Sequence, residues 1–154
     1  MSLVRRVCAA VIASAAIAMP AHAQQSVERT LTVEGRVRTY HLYVPASHRS
    51  PAPLVFVFHG GGGQGTRIES SSRFDVIADR EGFIVAYPDG VDRSWNDGRT
   101  DAPRQGALRK QVDDLAFVRA MLTDIATVSP VDTKRTFATG MSNGAIFPAA
   151  LNPS

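Results

Sequence analysis

The sequence predicts an α/β fold with a parallel sheet core, entered through an antiparallel hairpin. Three observations carry that prediction. Residues 54–58 (Leu-Val-Phe-Val-Phe) and 83–87 (Phe-Ile-Val-Ala-Tyr) are short, unbroken apolar runs, as strands buried on both faces require. Stretches with helical periodicity alternate with them. A third short run, 135–139, closes a β-α-β-α-β series.

Taken in order, residues from Val27 alternate around Leu31 and Val33, and Glu34-Gly35 offers a turn. Val37, Thr39, His41 and Tyr43 then share one face of a second strand, which makes a hairpin. Three prolines between Pro45 and Pro53 mark a connection before the first buried strand. Residues 64–69 read as a polar loop. A helix is expected from a serine cap near Ser70–Ser72 to Glu81, with Phe74, Ile77 and Ala78 on one face and Gly82 as its stop. After the second buried strand, Pro88-Asp89-Gly90 is a turn and 91–106 a long polar loop holding the single tryptophan, Trp95. Val112, Leu115, Val118, Leu122 and Ile125 form the apolar stripe of a helix over 111–127. Asp113 and Asp114 read as charges of its first turn, and Ser129-Pro130 ends it.

The first 23 residues read as a secretory signal peptide. Arg5 and Arg6 precede an apolar run from Val7 to Met19, and Ala21-His22-Ala23 supplies a small-x-small cleavage pattern. That run is too short to span a bilayer, so export without a membrane anchor is expected. Removing 23 of 154 residues leaves a mature chain of 131, enough for one domain, read as 24–154. The only cysteine, Cys8, leaves with the signal, which excludes disulfides and thiolate metal sites in the mature chain. The formal charge of +3 falls to about +1 without Arg5 and Arg6, which gives no argument for nucleic acid as a partner.

Two motifs carry chemistry. Gly140-Met141-Ser142-Asn143-Gly144 reads G-x-S-x-G directly after the third buried strand. In that context the motif is a nucleophile elbow, a sharp strand-to-helix turn that projects a serine hydroxyl. Ser142 is the candidate nucleophile, and the backbone N–H of Asn143 the candidate oxyanion donor. His59-Gly60-Gly61-Gly62-Gly63 follows the first buried strand, where a backbone N–H near Gly61 would supply the second donor. His59 precedes the serine and is read as orienting this loop rather than as the catalytic base. Trp95 either lines a substrate pocket beside Ser142 or packs on the sheet rim. Gly60, Gly62 and Gly65 also fit G-x-G-x-x-G, the fingerprint of a nucleotide-binding module. The absence of an apolar helical stripe before Phe74 weighs against that alternative, because the fingerprint needs a helix opening at the glycines.

Val57-Phe58-His59-Gly60-Gly61-Gly62-Gly63, Tyr87-Pro88-Asp89-Gly90, Arg93-Ser94-Trp95-Asn96, Val112-Asp113-Asp114 and Ala138-Thr139-Gly140-Met141-Ser142-Asn143-Gly144 occur in this order. Together they resemble the secreted polyhydroxybutyrate depolymerase and feruloyl-esterase-like family of α/β-hydrolases, over most of 32–145. The resemblance implies a serine carboxylic-ester hydrolase without cofactor or metal. The implied substrates are a polyhydroxyalkanoate, a hydroxycinnamoyl ester or a smaller ester.

The family pattern places a triad Asp and His after the serine, and here no Asp, Glu or His follows Ser142. Phe147-Pro148 reads as a helix breaker, and the tail after Ala145 departs from the family. The expectation is therefore the N-terminal part of an α/β-hydrolase sheet with later strands missing. Such a chain is expected to be inactive by itself and poorly soluble, and to be either a non-catalytic fragment or a half-domain completed by a C-terminal partner chain.

Overall fold

A computed structural model describes residues 25–99 and 106–150. The signal-peptide reading of 1–23 lies outside them. The described residues form a five-stranded mixed sheet flanked by helices, in the strand order β1-β2-β4-β3-β5. β1 (Val27–Val33) and β2 (Arg36–Tyr43) make the expected hairpin, with Val33 opposite Arg36 across the turn at Glu34-Gly35. β2 pairs antiparallel with β4 (Ile84–Pro88), while β3 (Ala52–Phe58) runs parallel to both β4 and β5 (Val131–Gly140).

The unbroken apolar runs sit where a two-sided burial requirement puts them. Leu54, Phe56 and Phe58 of β3, with Ile84 and Ala86 of β4, enter one core beneath α4 (Asp114–Val128) and α5 (Asn143–Ala150). Val57, Val85 and Tyr87 enter a second core with Ile68 of α1 (Gly65–Ser72) and Ala78 of α2 (Phe74–Glu81). A short helix, α3 (Gly106–Arg109), precedes α4.

Several expectations need correction or refinement. The third strand, expected to be short and buried over 135–139, is the ten-residue β5, none of whose residues is buried. The polar stretch after Gln64 is not a loop: α1 opens at Gly65. Its sequence shows no stripe because Gly65 and Ile68 are its only buried residues. Its first N–H is satisfied from elsewhere, by Asp89 Oδ1 at 2.7 Å. α1 and α2 are separated at Arg73, whose φ of 55° is left-handed and breaks the helix. In β2 the residues buried in the main core are Tyr40 and Leu42, on the face opposite the one singled out, and Arg38 is buried with them. Asp114 opens α4 as a first-turn charge, as expected, but it is buried. It is 2% exposed and accepts from Arg38 at 2.8 Å, whereas Asp113 caps α4 by accepting from Ala116 N. Finally, Pro148 lies inside α5 instead of ending it. A proline there forfeits one bond, to the carbonyl of Gly144, while Phe147 anchors the same turn between Phe58 and Trp95.

Candidate active site

β5 delivers the elbow. The β3–β5 ladder continues to Phe58–Gly140, and Met141 N donates to Phe58 O at 3.1 Å. The chain then reverses: Gly144 N donates to Met141 O at 2.9 Å and Ala145 N to Ser142 O at 2.8 Å. Ser142 stands at the apex with φ of 52°, an unusual backbone for a residue with a side chain, and it is exposed. The flanking glycines are required by contact. A Cβ on Gly140 or on Gly144 would stand 2.6 Å from Phe58 O. The elbow is thus pressed onto the end of β3 with no room for a methyl group.

That contact brings the two sequence motifs together. A Cβ on Gly60 would lie 3.6 Å from Ser142 Cβ, and one on Gly61 would lie 4.0 Å from Asn143 Cβ. Within the glycine run, Gly62 N donates to Arg93 O and Gly63 N to Gly60 O. The run therefore folds back on itself beside the serine. Asn143 heads α5, so its peptide lies at the positive end of a helix dipole.

His59 is buried and held at both ring nitrogens. Nε2 accepts from Gly90 N at 3.0 Å, and Nδ1 faces Gly60 O at 2.8 Å. Burial, opposed by the bond to Gly60, pushes its pKa below the usual histidine value. This is the orienting role read from sequence. The other described histidines are engaged away from the elbow: His41 lies 3.9 Å from Asp89 Oδ2, and His48 contacts Pro45 O and Ser129 Oγ.

Trp95 is wholly buried in the main core. Its ring stacks on Phe147 at 5.7 Å and meets Phe58 edge-on at 5.1 Å. Its indole N–H donates to His59 O at 2.8 Å. Sequence reasoning also missed Asp97, 5% exposed, which accepts from Asn143 Nδ2 at 2.6 Å and from Arg99. Burial alone would raise the Asp97 carboxyl, but the bonds from Arg99 and Asn143 outweigh it and hold the group below the usual carboxylate range. The sequence signalled this cluster through the run Arg93-Ser94-Trp95-Asn96 and the elbow residue Asn143, neither of which points to Asp97.

The G-x-G-x-x-G alternative fares differently from its sequence argument. A helix does open at Gly65, but the Asp89 carboxylate already occupies its N-terminus. A pyrophosphate there would meet a resident anion.

Comparison with known proteins bears on the same residues. The family model described as Esterase PHB depolymerase matches residues 38–153. The chain is 33% identical over 129 residues to a putative esterase, NocK, of Nocardia uniformis subsp. tsuyamanensis, covering 80% of this chain and 36% of that protein. It is 34% identical over 99 residues to feruloyl esterase B of Piromyces equi, covering 60% of this chain and 17% of that protein. Among solved structures, a cold-adapted esterase from an Arctic intertidal metagenomic library superposes with a TM-score of 0.62 at 21% identity, over 84% of this chain and 55% of that one. An acetyl xylan esterase from Aspergillus awamori superposes with a TM-score of 0.56 at 20% identity, over 81% and 47%. The chain thus spans about half of these solved structures and about a third or less of the two sequence relatives. The fold is that of the α/β-hydrolase esterases, and the chain belongs to the Esterase PHB depolymerase family.

Proposed function

We propose that the chain carries the nucleophile half of a secreted serine carboxylic-ester hydrolase. The observation that supports this best is the elbow itself: an exposed Ser142 in a left-handed turn, wedged by Gly140 and Gly144 against β3 and flanked by Gly60 and Gly61. In this reading Ser142 Oγ attacks the ester carbonyl and forms an acyl-enzyme. The backbone N–H groups of Gly61 and Asn143 receive the oxyanion. Alcohol leaves, and water releases the acid.

The base must come from outside these 154 residues, because none of the described histidines faces the serine and none follows it in sequence. Losing triad partners costs on the order of 10⁶ in kcat, so the chain by itself is proposed to be inactive. The substrate class follows the relatives: a hydroxycinnamoyl or acetyl ester on a polysaccharide, a polyhydroxyalkanoate, or a smaller ester. Export through residues 1–23 is part of the same proposal, and N-terminal sequencing of exported protein should begin at Gln24.

The test is hydrolysis of p-nitrophenyl acetate by residues 24–154, with and without an added C-terminal half from a family esterase. Turnover only in the mixture, abolished by Ser142→Ala, supports the reading. Turnover unaffected by Ser142→Ala removes the serine from the mechanism. The mixture also addresses a second reading, a half-domain completed by a partner chain. That reading is favoured by β5, which among the described strands is bonded on one side only and exposes Phe137.

A further inference from the structure

We propose that Asp97 is a positioning residue for the chemistry at Ser142, acting through the Asn143 side chain to aim the Asn143 backbone N–H at the oxyanion. The inference rests on the esterase reading above and adds a residue that lies 45 positions upstream of the nucleophile.

The Asn143 side chain is 2% exposed as part of its residue and is held at every polar edge. Its Oδ1 accepts from Trp95 N at 2.8 Å. Its Nδ2 donates to Trp95 O at 3.1 Å and to Asp97 Oδ2 at 2.6 Å. Both amide protons are therefore committed, and the amide cannot rotate without leaving a buried donor unpaired. Because this side chain springs from the residue whose peptide would meet the oxyanion, fixing the amide fixes that peptide. The third bond, to a carboxylate, is charge-assisted and stronger than the two to backbone. Arg99 donates to the same carboxylate oxygen, which offsets the cost of burying its charge.

The brace reaches the other donor as well. Trp95, which clamps Asn143 through its backbone, donates its indole N–H to His59 O, directly before Gly60 and Gly61. One three-residue segment, 95–97, thus sets the spacing between the two proposed oxyanion donors. Misplacing such a donor by about 1 Å is enough to cost as much as 100-fold in rate.

The experiment compares Asp97→Ala and Asp97→Asn in the 154-residue chain, assayed for turnover together with the C-terminal half of a family esterase that completes it. With p-nitrophenyl acetate, Asp97→Ala should lower kcat about tenfold and leave KM within about twofold. Asp97→Asn, which keeps an oxygen for Asn143 Nδ2, should restore most of the rate. Hydrogen exchange supplies a readout independent of turnover: Asp97→Ala should speed exchange in 141–147 and leave 52–58 unchanged. Unchanged kcat, unchanged exchange at 141–147, or a loss of rate accompanied by faster exchange throughout the sheet would each overturn the proposal. If the parent chain together with that C-terminal half hydrolyses no ester, the esterase reading fails separately. Exchange at 141–147 then still decides whether Asp97 holds Asn143.

Discussion

His59 Nε2 accepts the backbone N–H of Gly90 at 3.0 Å, while its Nδ1 stands 2.8 Å from the carbonyl oxygen of Gly60. A backbone N–H can only donate and a carbonyl can only accept. The ring must therefore carry its proton on Nδ1 and leave Nε2 bare, which is the neutral form. Protonating Nε2 would set two donors against each other in a buried site.

A pH dependence of stability follows. Burial, the largest influence, lowers the His59 pKa from 6.5 in the folded chain. The unfolded chain then binds the proton more readily, so the contribution of His59 is complete above about pH 6.5 and is lost as pH falls towards the folded value. The urea midpoint should drop on acidification from about pH 7.5 to 5. His59→Phe keeps a ring against Trp95 but gives Gly90 no acceptor. It should start lower by about 1–2 kcal/mol and show a shallower acid slope. Parallel pH curves for parent and variant would rule His59 out as the source.

The glycines of the elbow should differ from the glycine of the hairpin. Gly144→Ala places a Cβ 2.6 Å from Phe58 O, so β3 and α5 must separate, at a cost of about 3 kcal/mol. Gly35 has φ of 69° and open space around its missing side chain, so Gly35→Ala should cost only the backbone term, about 1 kcal/mol. Equal losses in urea midpoint for the two variants would contradict the packed-elbow geometry.

These contrasts show what was legible in the sequence. β3 and β4 could be read because burial on both faces leaves no polar residue in the run. The elbow could be read because G-x-S-x-G at the end of a strand has one structural context, even though β5 itself is largely exposed. α1 could not: its two buried positions make no stripe, and its cap, Asp89, lies 24 residues away. Arg38 and Asp97 were hidden for a related reason. A charged residue in a strand or loop gives no sign of burial until its partner is known, and their partners, Asp114 and Asn143, lie 76 and 46 residues away.

The Arg38–Asp114 pair is itself testable. Both side chains are nearly inaccessible, Arg38 lies over the Phe117 ring at 4.0 Å, and Asp114 also accepts from Asn96 N at 2.8 Å. Removing one partner strands a buried charge. Asp114→Ala should therefore cost about 3–5 kcal/mol, and Arg38→Met/Asp114→Ala should cost less than the sum of the two single changes. Strict additivity would mean that the two groups do not interact.

The last prediction concerns β5. It pairs with β3 alone among the described strands, and Phe137 on it is 57% exposed. An open strand edge beside an exposed aromatic ring is a template for pairing with another chain. The 154-residue chain should therefore associate as its concentration rises. Phe137→Lys should raise the soluble monomeric fraction without lowering the urea midpoint, because the ring leaves little packing behind. Light scattering across a concentration series reads the first effect directly. If Phe137→Lys instead lowers the midpoint by more than about 1 kcal/mol, Phe137 is packed in solution and a surface not seen in this sheet already covers it.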